Sequence, residues 1–213
     1  MYPPLVQRPK DILDFWFGTG PWNAARLAER YALWFGGEDD TPDDIATRDE
    51  LIRSRLEPLL ERAAHGEFAS WAASPKRRLG LILLFDQVPR NCYRGTAAAF
   101  AFDREALALS LEGLQLAADA ALDPVERVFF YLPLEHAESM EAQDAGIAAF
   151  ERLAAEAPAE VRDFCVNCGR YAQKHRDIIA KFGRFPHRNL ALGRASTEAE
   201  KDWLAAGGAS FGQ

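Results

Sequence analysis

Cysteine and methionine are scarce in this 213-residue sequence, which contains three of the first and two of the second. An odd number of cysteines, two of them only three positions apart, argues against a disulfide framework and predicts reduced thiols in the cytoplasm. Long apolar runs are also missing, since no stretch approaches the roughly 18 residues that a membrane span requires. The opening residues MYPPLVQRPKD lack the apolar run and the cleavage site of a signal peptide. We therefore expect neither a membrane protein nor a secreted one.

Alternating apolar and polar residues are absent, and so are the dipeptides typical of β-hairpins. The sequence therefore predicts no β-sheet. No composition shift or flexible linker divides the chain, which favours a single helical domain over residues 1–213. The formal net charge is −7, and no recognised nucleic-acid motif accompanies the basic residues, so we expect no nucleic-acid partner. The oligomeric state does not follow from the sequence.

Helix boundaries are the clearest positive signal. Capping residues precede prolines at Thr41, Ser74 and Asp123, and a glutamate follows three positions after Asp123 and after Thr197, as in capping boxes. Glycines after apolar-periodic segments mark the helix ends. These signals predict an all-α protein of about nine helices, over residues 9–17, 22–35, 42–65, 75–88, 97–118, 124–137, 139–156, 159–182 and 197–206.

Two of these helices carry further expectations. The run LGLILLF, from Leu79 to Phe85, follows a Ser-Pro start and predicts a helix buried on nearly all sides rather than a buried strand. Pro58 and Pro133 fall inside two other helices and are expected to kink or split them.

The cysteine pair Cys165 and Cys168 lies on an apolar face of the helix predicted over 159–182, together with His175. A zinc site would need further ligands at a matching spacing, and no second CxxC motif exists. We therefore predict buried structural cysteines and no metal site. His175 is either a hydrogen-bonded core histidine or a catalytic or binding residue.

The stretch YLPLEHAESMEAQD places Glu135, Glu138 and Glu141 three positions apart, with His136 beside the first. Such residues are candidates for acid–base chemistry or for holding a divalent cation, and they also fit a solvated acidic helix face. Because they follow the apolar segment VFFYLPL, we expect them close to the core, where carboxylates require partners.

Two helix exits resemble each other. FDQVPRN ends the buried helix, and FGRFPHRN ends the helix predicted over 159–182; in both, a phenylalanine is followed by a proline and then by Arg-Asn. The second exit belongs to a segment, 170–194, with seven Lys or Arg and one acid, which carries +6 and leaves −13 on the remainder. Arginine is suited to binding carboxylates and phosphates, so this segment predicts either internal salt bridges or an anionic ligand.

Aromatic residues are concentrated in DFWFG and YALWFGG. Phe15, Trp16 and Phe17 occupy consecutive helical positions and cannot all face the same way. Core packing is the default for such residues. We include Trp16 among the candidates for lining a groove.

Four ordered motifs spanning nearly the whole chain resemble a bacterial family known as domain of unknown function 924: DILDFWFG, LILLFDQVPRNCYRGTAAAFAFD, YLPLEHAES and HRDIIAKFGRFPHRNLALGRAST. The resemblance implies a tetratricopeptide-like α-α superhelix, although the sequence shows no clean 34-residue repeat. It implies no established activity, cofactor or substrate. Cys92 and the Cys165–Cys168 pair are not part of the family signature. The polar residues of interest that the resemblance carries over are Asp86, Gln87, Arg90, Asn91, Arg94, Tyr131, Glu135, His136, Glu138, His175, Arg184, His187, Arg188 and Asn189.

These observations favour a helical binding or scaffold protein that holds an anionic small molecule or an acidic peptide in an arginine- and aromatic-lined cleft. The predicted ligand-binding residues are Trp16, Asp86, Gln87, Arg90, Asn91, Arg94, Tyr131, Arg184, Arg188 and Asn189. The alternative is a hydrolase- or transferase-type enzyme without a predicted cofactor, although metal assistance stays open. Its candidate acid–base residues are Glu135, His136, Glu138, His175 and His187.

Overall fold

The computed structural model describes residues 8–37 and 39–212, and within them every regular element is helical. The α-helices are α1 (Pro9–Phe17), α2 (Ala24–Phe35), α3 (Pro42–Ala64), α4 (Pro75–Ile82), α5 (Val88–Cys92), α6 (Asp103–Gln115), α7 (Pro124–His136), α8 (Met140–Glu156), α9 (Ala159–Phe182) and α10 (Glu198–Ala205). A π-helical turn, Leu83–Gln87, joins α4 to α5 without a break. Counting that rod as one, the described residues form nine helices. The prediction of an all-α protein is confirmed, and the arrangement is compatible with the α-α superhelix that the family resemblance implies.

Helix capping follows the sequence closely. The backbone N–H of Asp123 donates to Glu126 at 2.9 Å, and that of Thr197 donates to Glu200 at 2.7 Å, as expected of the two capping boxes. Ser74 precedes α4, but its side chain makes no capping hydrogen bond there. Pro58 and Pro133 lie inside α3 and α7, and neither helix is split.

Two predicted boundaries differ from the structure. The helix expected over 97–118 begins as the short 3₁₀ turn Ala97–Phe100, and α6 starts only at Asp103. Alanine propensity favoured an earlier start, but tertiary packing overrides this weak preference by placing the Phe100 ring beneath the Arg188 guanidinium. The helix expected over 75–88 extends to Cys92, because the π turn lets the Val88 N–H bond to the Leu83 carbonyl just before Pro89, which has no N–H.

The main core surrounds α7, which packs against α4, α6, α8 and α9. Its side chains from Val128 to Tyr131 are fully buried, and so are Leu79 and Ile82–Leu84 of the apolar rod. The expected burial of that rod is confirmed. Among the described helices, none is both long enough and apolar enough to cross a membrane.

A smaller apolar cluster lies at the C-terminal end of α9. Ile178, Ile179 and Phe185 are buried there, and Trp203 of α10 and Phe211 pack against them. This cluster brings the segment after α9 back onto the ends of α5 and α7. The polar residues described next lie at that junction.

Candidate functional site

Asp86, in the π turn, is the centre of a buried polar cluster. Its carboxylate accepts from Gln87 Nε2 at 2.7 Å, lies 2.7 Å from Nδ1 of His136, and lies 3.2 Å from Nη1 of Arg90. Burial by itself would raise the pKa of Asp86, but the charge of Arg90 and the hydrogen bonds from His136 and Gln87 hold it well below its usual range. Asp86 is therefore a permanent buried anion whose contacts orient the groups around it.

Two carboxylate–histidine pairs meet at the end of α7. The first is Asp86–His136, and in the second Oε1 of Glu135 lies 2.9 Å from Nδ1 of His175 on α9. The same nitrogen of His175 lies 2.9 Å from the carbonyl oxygen of Tyr171, and the two imidazole rings are 6.0 Å apart. Burial, followed by the charge of Arg90, lowers the pKa of His136, so this imidazole is neutral at pH 7.

Glu135 and the two histidines also form a candidate set of metal ligands. One donor atom from each of Glu135, His136 and His175 lies within 4.8 Å of the others. Glu135 is buried, and its Oε2 has no hydrogen-bond partner among residues 8–37 and 39–212. The sequence offered Glu135 and His136 as candidates for holding a divalent cation, but it predicted no metal site and did not group these two residues with His175.

Two arginines from the similar helix exits lie on opposite sides of one carboxylate. Arg90 Nη1 lies 2.8 Å from Oδ1 of Asp103, and Arg188 Nη1 donates to Oδ2 of the same residue at 3.0 Å. Both guanidiniums lie over the ring of Phe100. Burial, and then the charge of Arg90, lowers the pKa of Arg188 to about 10. The two similar helix exits thus meet at Asp103.

Each of these arginines retains an unused donor. Arg90 Nη2 and Arg188 Nε are buried and make no hydrogen bond within the described part of the chain. Buried polar groups in native proteins are nearly always satisfied by protein, water or ligand. Two N–H donors without a partner among the described residues thus lie beside one carboxylate.

The aromatic side of the cluster comes from the C-terminal segment. The Phe211 ring is stacked on His175, with centroids 3.6 Å apart and planes 18° from parallel. His187 contacts the rings of Phe185 and Phe211, and burial, followed by the charge of Arg188, lowers its pKa to about 3. Phe211 therefore covers one face of His175.

Other arginines of the basic segment form internal salt bridges. Arg194 makes two bonds with Glu138, at 2.7 and 2.9 Å, and Glu138 also accepts from the backbone N–H of Phe185. Arg184 makes two bonds with Glu200, at 2.6 and 2.8 Å, and Asn189 Nδ2 lies 3.3 Å from the same carboxylate. Much of the +6 charge is thus balanced by the protein's own acids.

Several predicted binding residues make contacts outside the group formed by Arg90, Asp103 and Arg188. Trp16 is enclosed in the core against Phe129, and Tyr131 donates to Asp119 at 2.6 Å. Arg94 makes two bonds of 2.8 Å with Asp49, and Asn91 donates to the Gln87 carbonyl. Such contacts within the protein are typical of residues that stabilise the fold.

The cysteines behave as predicted for buried structural residues. Cys92, Cys165 and Cys168 are all buried free thiols. Burial raises the pKa of Cys165 to about 11 and that of Cys92 to about 12. Neutral, enclosed thiols are poor nucleophiles and poor metal ligands.

Sequence reasoning missed Phe100, Asp103 and Phe211 as members of the cluster. Asp103 lies 85 positions from its partner Arg188, so no local spacing could have paired them. The one available signal was chemical: a buried arginine pair requires a nearby acid.

Open clefts occur in a different part of the molecule. The larger has a volume of about 920 Å³ and is lined by residues of 8–26 and 74–77 together with Asp123 and Glu126. A second, of about 540 Å³, lies between α1, α2 and α3. None of the predicted site residues is among the described residues that line either cleft.

Comparison with known proteins places the chain in a family. A comparison with curated proteins found no significant match. A solved structure titled "Structure of Protein of Unknown Function ATU0120 from Agrobacterium tumefaciens" is similar, with 33% sequence identity, a TM-score of 0.74, and coverage of 93% of this chain and 97% of that one. The family described as "Bacterial protein of unknown function (DUF924)" matches residues 12–208. With the ordered motifs and the helical fold in agreement over nearly its whole length, the chain belongs to the DUF924 family.

Proposed function

We propose that this protein binds a small anionic molecule, a carboxylate or a phosphate, at Arg90 and Arg188. The observation that supports this is the pair of buried N–H donors, Arg90 Nη2 and Arg188 Nε, without an acceptor in the described part of the chain. Charged donors of arginine form the strongest hydrogen bonds with such anions. An anionic oxygen between them would satisfy both groups.

Burial favours a small ligand over an acidic peptide. Arg90 and Arg188 are each only 5% exposed, so a peptide chain has no open groove in which to reach them. A small anion needs only a transient opening, and the Phe211 segment lies over the neighbouring His175. We propose the cytoplasm as the location of this function, in keeping with the three free thiols.

Thermal shift measurements with inorganic phosphate and with short mono- and dicarboxylates test the proposal. A ligand that binds only the folded state stabilises it by roughly 2.7 kcal/mol at 100 times its Kd. We expect at least one of these anions to raise the melting temperature of the wild type and not that of Arg188→Gln. Arg176→Gln is the control, because Arg176 is a half-exposed arginine paired with Asp144.

Two results would contradict the proposal. The first is that no anion of the series stabilises the wild type. The second is that Arg90→Lys and Arg188→Gln both fail to fold, which circular dichroism would detect. The two arginines would then stabilise the fold through internal salt bridges.

A second candidate function is supported by the two carboxylate–histidine pairs. Asp86–His136 at 2.7 Å and Glu135–His175 at 2.9 Å have the geometry of a base oriented by an acid. A hydrolase or transferase acting on the bound anion would use His136, whose neutral imidazole can accept a proton. Release of nitrophenol from nitrophenyl esters and phosphates would test it, with loss expected in His136→Gln and no change in His65→Gln.

A further inference from the structure

Glu135 is a buried carboxylate that forms no salt bridge with a lysine or arginine among residues 8–37 and 39–212. Asp86 is paired with Arg90, and Asp103 is paired with Arg90 and Arg188. Within the same residues, Oε1 of Glu135 contacts Nδ1 of His175 at 2.9 Å. A carboxylate in a low-dielectric interior is costly unless a positive charge lies directly beside it, so a cation bound at Glu135 would stabilise the folded protein.

The free oxygen of this carboxylate shows where a cation would bind. Oε1 of Glu135 lies next to His175 Nδ1, whereas Oε2 is buried and makes no hydrogen bond with any described residue. One oxygen of Glu135 and one nitrogen each from His136 and His175 lie within 4.8 Å of one another. Small side-chain rotations can close this spread to the roughly 2.0–2.2 Å bonds that zinc makes with nitrogen and oxygen.

The Nδ1 atoms of both imidazoles already have polar partners. Nδ1 of His136 lies 2.7 Å from the Asp86 carboxylate, and Nδ1 of His175 lies 2.9 Å from the Tyr171 carbonyl. A proton on Nδ1 leaves the lone pair on Nε2, which is the usual second-shell arrangement of zinc-binding histidines. Asp86 thereby acts as a positioning residue for His136.

We infer that Glu135, His136 and His175 bind a divalent transition-metal ion, of which Zn²⁺ is the one that this donor set suits best. Two imidazoles and one carboxylate are characteristic ligands of zinc and its neighbours in the first transition row. Three protein ligands leave a coordination position open, as in catalytic rather than structural sites.

The inference goes beyond anion binding and does not depend on it. Asp86 contacts both Arg90 and His136, so the metal site and the unused arginine donors are adjacent. With a divalent ion present, the cluster would change from an excess of negative charge to an excess of positive charge. An anion held at Arg90 and Arg188 would then lie beside the metal, and the two histidines would be ligands rather than bases.

Isothermal titration with Zn²⁺ tests the inference on the full chain, purified without a polyhistidine tag and freed of metal with a chelator. We expect one Zn²⁺ per chain in the wild type. Glu135→Gln, His136→Ala and His175→Ala should each weaken binding more than about 100-fold, because losing a ligand costs more than the roughly 10–100-fold expected for an outer-shell partner such as Asp86→Asn. His65→Ala, which removes an exposed histidine at the end of α3, should bind like the wild type.

The visible spectrum of the Co²⁺-loaded protein reports directly on the metal ligands. A substitution of Glu135 would leave this spectrum unchanged if Glu135 served only to stabilise the fold. We expect ligand-field bands in the wild type and in His65→Ala, and altered or absent bands in Glu135→Gln even where that variant folds normally. The inference is overturned if the wild type binds no more Zn²⁺ than His175→Ala, or if binding is lost in Cys165→Ala/Cys168→Ala and kept in Glu135→Gln.

Discussion

The arginines between residues 184 and 194 differ in what their side chains contact. Arg184 and Arg194 each make two bonds with one carboxylate, Glu200 and Glu138 respectively. Arg188, between them, makes one bond with Asp103 and leaves Nε unused. The sequence left two alternatives for the whole segment, internal salt bridges or ligand binding. In the structure, Arg184 and Arg194 form internal salt bridges, whereas Arg188 keeps an unused donor.

Arg194→Lys should destabilise the protein, because an ammonium group cannot reproduce the two-bond contact with Glu138 or the further bond to Asn189. The expected loss is about 1–3 kcal/mol in the free energy of unfolding, measured by urea denaturation. Arg176→Lys is the matched control, since Arg176 makes an exposed single contact with Asp144 worth about 0–1 kcal/mol. Equal losses in the free energy of unfolding of the two variants would show that the contact of Arg194 with Glu138 stabilises the protein no more than the exposed contact of Arg176 with Asp144.

The sequence identified most of the polar residues of the cluster but not their arrangement. Asp86, Arg90, Glu135, His136 and His175 were all candidates, because they lie in motifs next to strongly apolar helices. Phe100, Asp103 and Phe211 were not candidates, since their roles depend on contacts between distant parts of the chain. The same limit applied to Trp16, whose aromatic neighbours in the sequence gave no indication of whether it faces the core or a groove.

At the scale of secondary-structure elements, the contact between α6 and α7 depends on one glycine. A Cβ added to Gly113 would overlap the ring of Phe130 and come within 2.9 Å of Cδ of Arg78. Phe130 is fully buried and Arg78 is held by the Leu109 carbonyl, so neither can move freely. The absence of a side chain at Gly113 allows the two helices to approach.

Gly113→Ala should lower the free energy of unfolding by about 1–3 kcal/mol, the usual cost of overpacking a core. Gly80→Ala is the control with the opposite expectation. An added Cβ at Gly80 meets its nearest neighbour, Trp71, at 3.9 Å, so the higher helix propensity of alanine should stabilise α4 by up to about 1 kcal/mol. Thermal denaturation of both variants tests these two expectations. A Gly113→Ala protein as stable as the wild type would contradict the close packing of α6 against α7 at this position.

Most helix boundaries followed from capping residues and glycines, because these signals are local. The exceptions are the start of α6 and the continuation of the apolar rod through Pro89. The start of α6 is decided by tertiary packing, because the Phe100 ring lies under two arginines. The rod continues because the π turn lets the Val88 N–H bond to the Leu83 carbonyl just before Pro89, and this turn also places Asp86 opposite His136. Local sequence rules have no access to either contact.

At the scale of the whole molecule, acidic residues hold the segment that follows α9 in place. Glu138, at the end of α7, contacts Arg194 and Phe185, while Glu200, at the start of α10, contacts Arg184 and Asn189. The basic segment of a chain with net charge −7 is therefore attached to the rest by ion pairs. Attachment of this kind depends on pH.

Glu200→Gln should show the acid dependence of this attachment. Hydrogen bonds from Arg184, together with the Thr197 backbone N–H, lower the pKa of Glu200 to about 2, against about 4.3 in an unfolded chain. A lowered pKa in the folded state contributes stability above about pH 4.3, and that contribution is lost as the pH falls toward 2. The wild type should therefore exceed Glu200→Gln in the free energy of unfolding by more at about pH 6 than at about pH 3.

Glu198→Gln is the control for this comparison, because Glu198 lies in the same first turn of α10 but is largely exposed. Its difference from the wild type should be small at both pH values. If the free energies of unfolding of the wild type and Glu200→Gln differed by the same amount at both pH values, protonation of Glu200 would not contribute to the pH dependence of stability.

The π turn Leu83–Gln87 has a consequence for the history of the site. A π turn contains one residue more than an α-helical turn, and each residue of an α-helix advances the direction of the side chains by about 100°. Loss of a single codon within this turn would leave a continuous helix of nearly the same length and turn Arg90 away from Asp103 of α6. Two chains of this family that differ by one residue at this point would share the helical fold, yet one would have the buried polar cluster and the other would lack it.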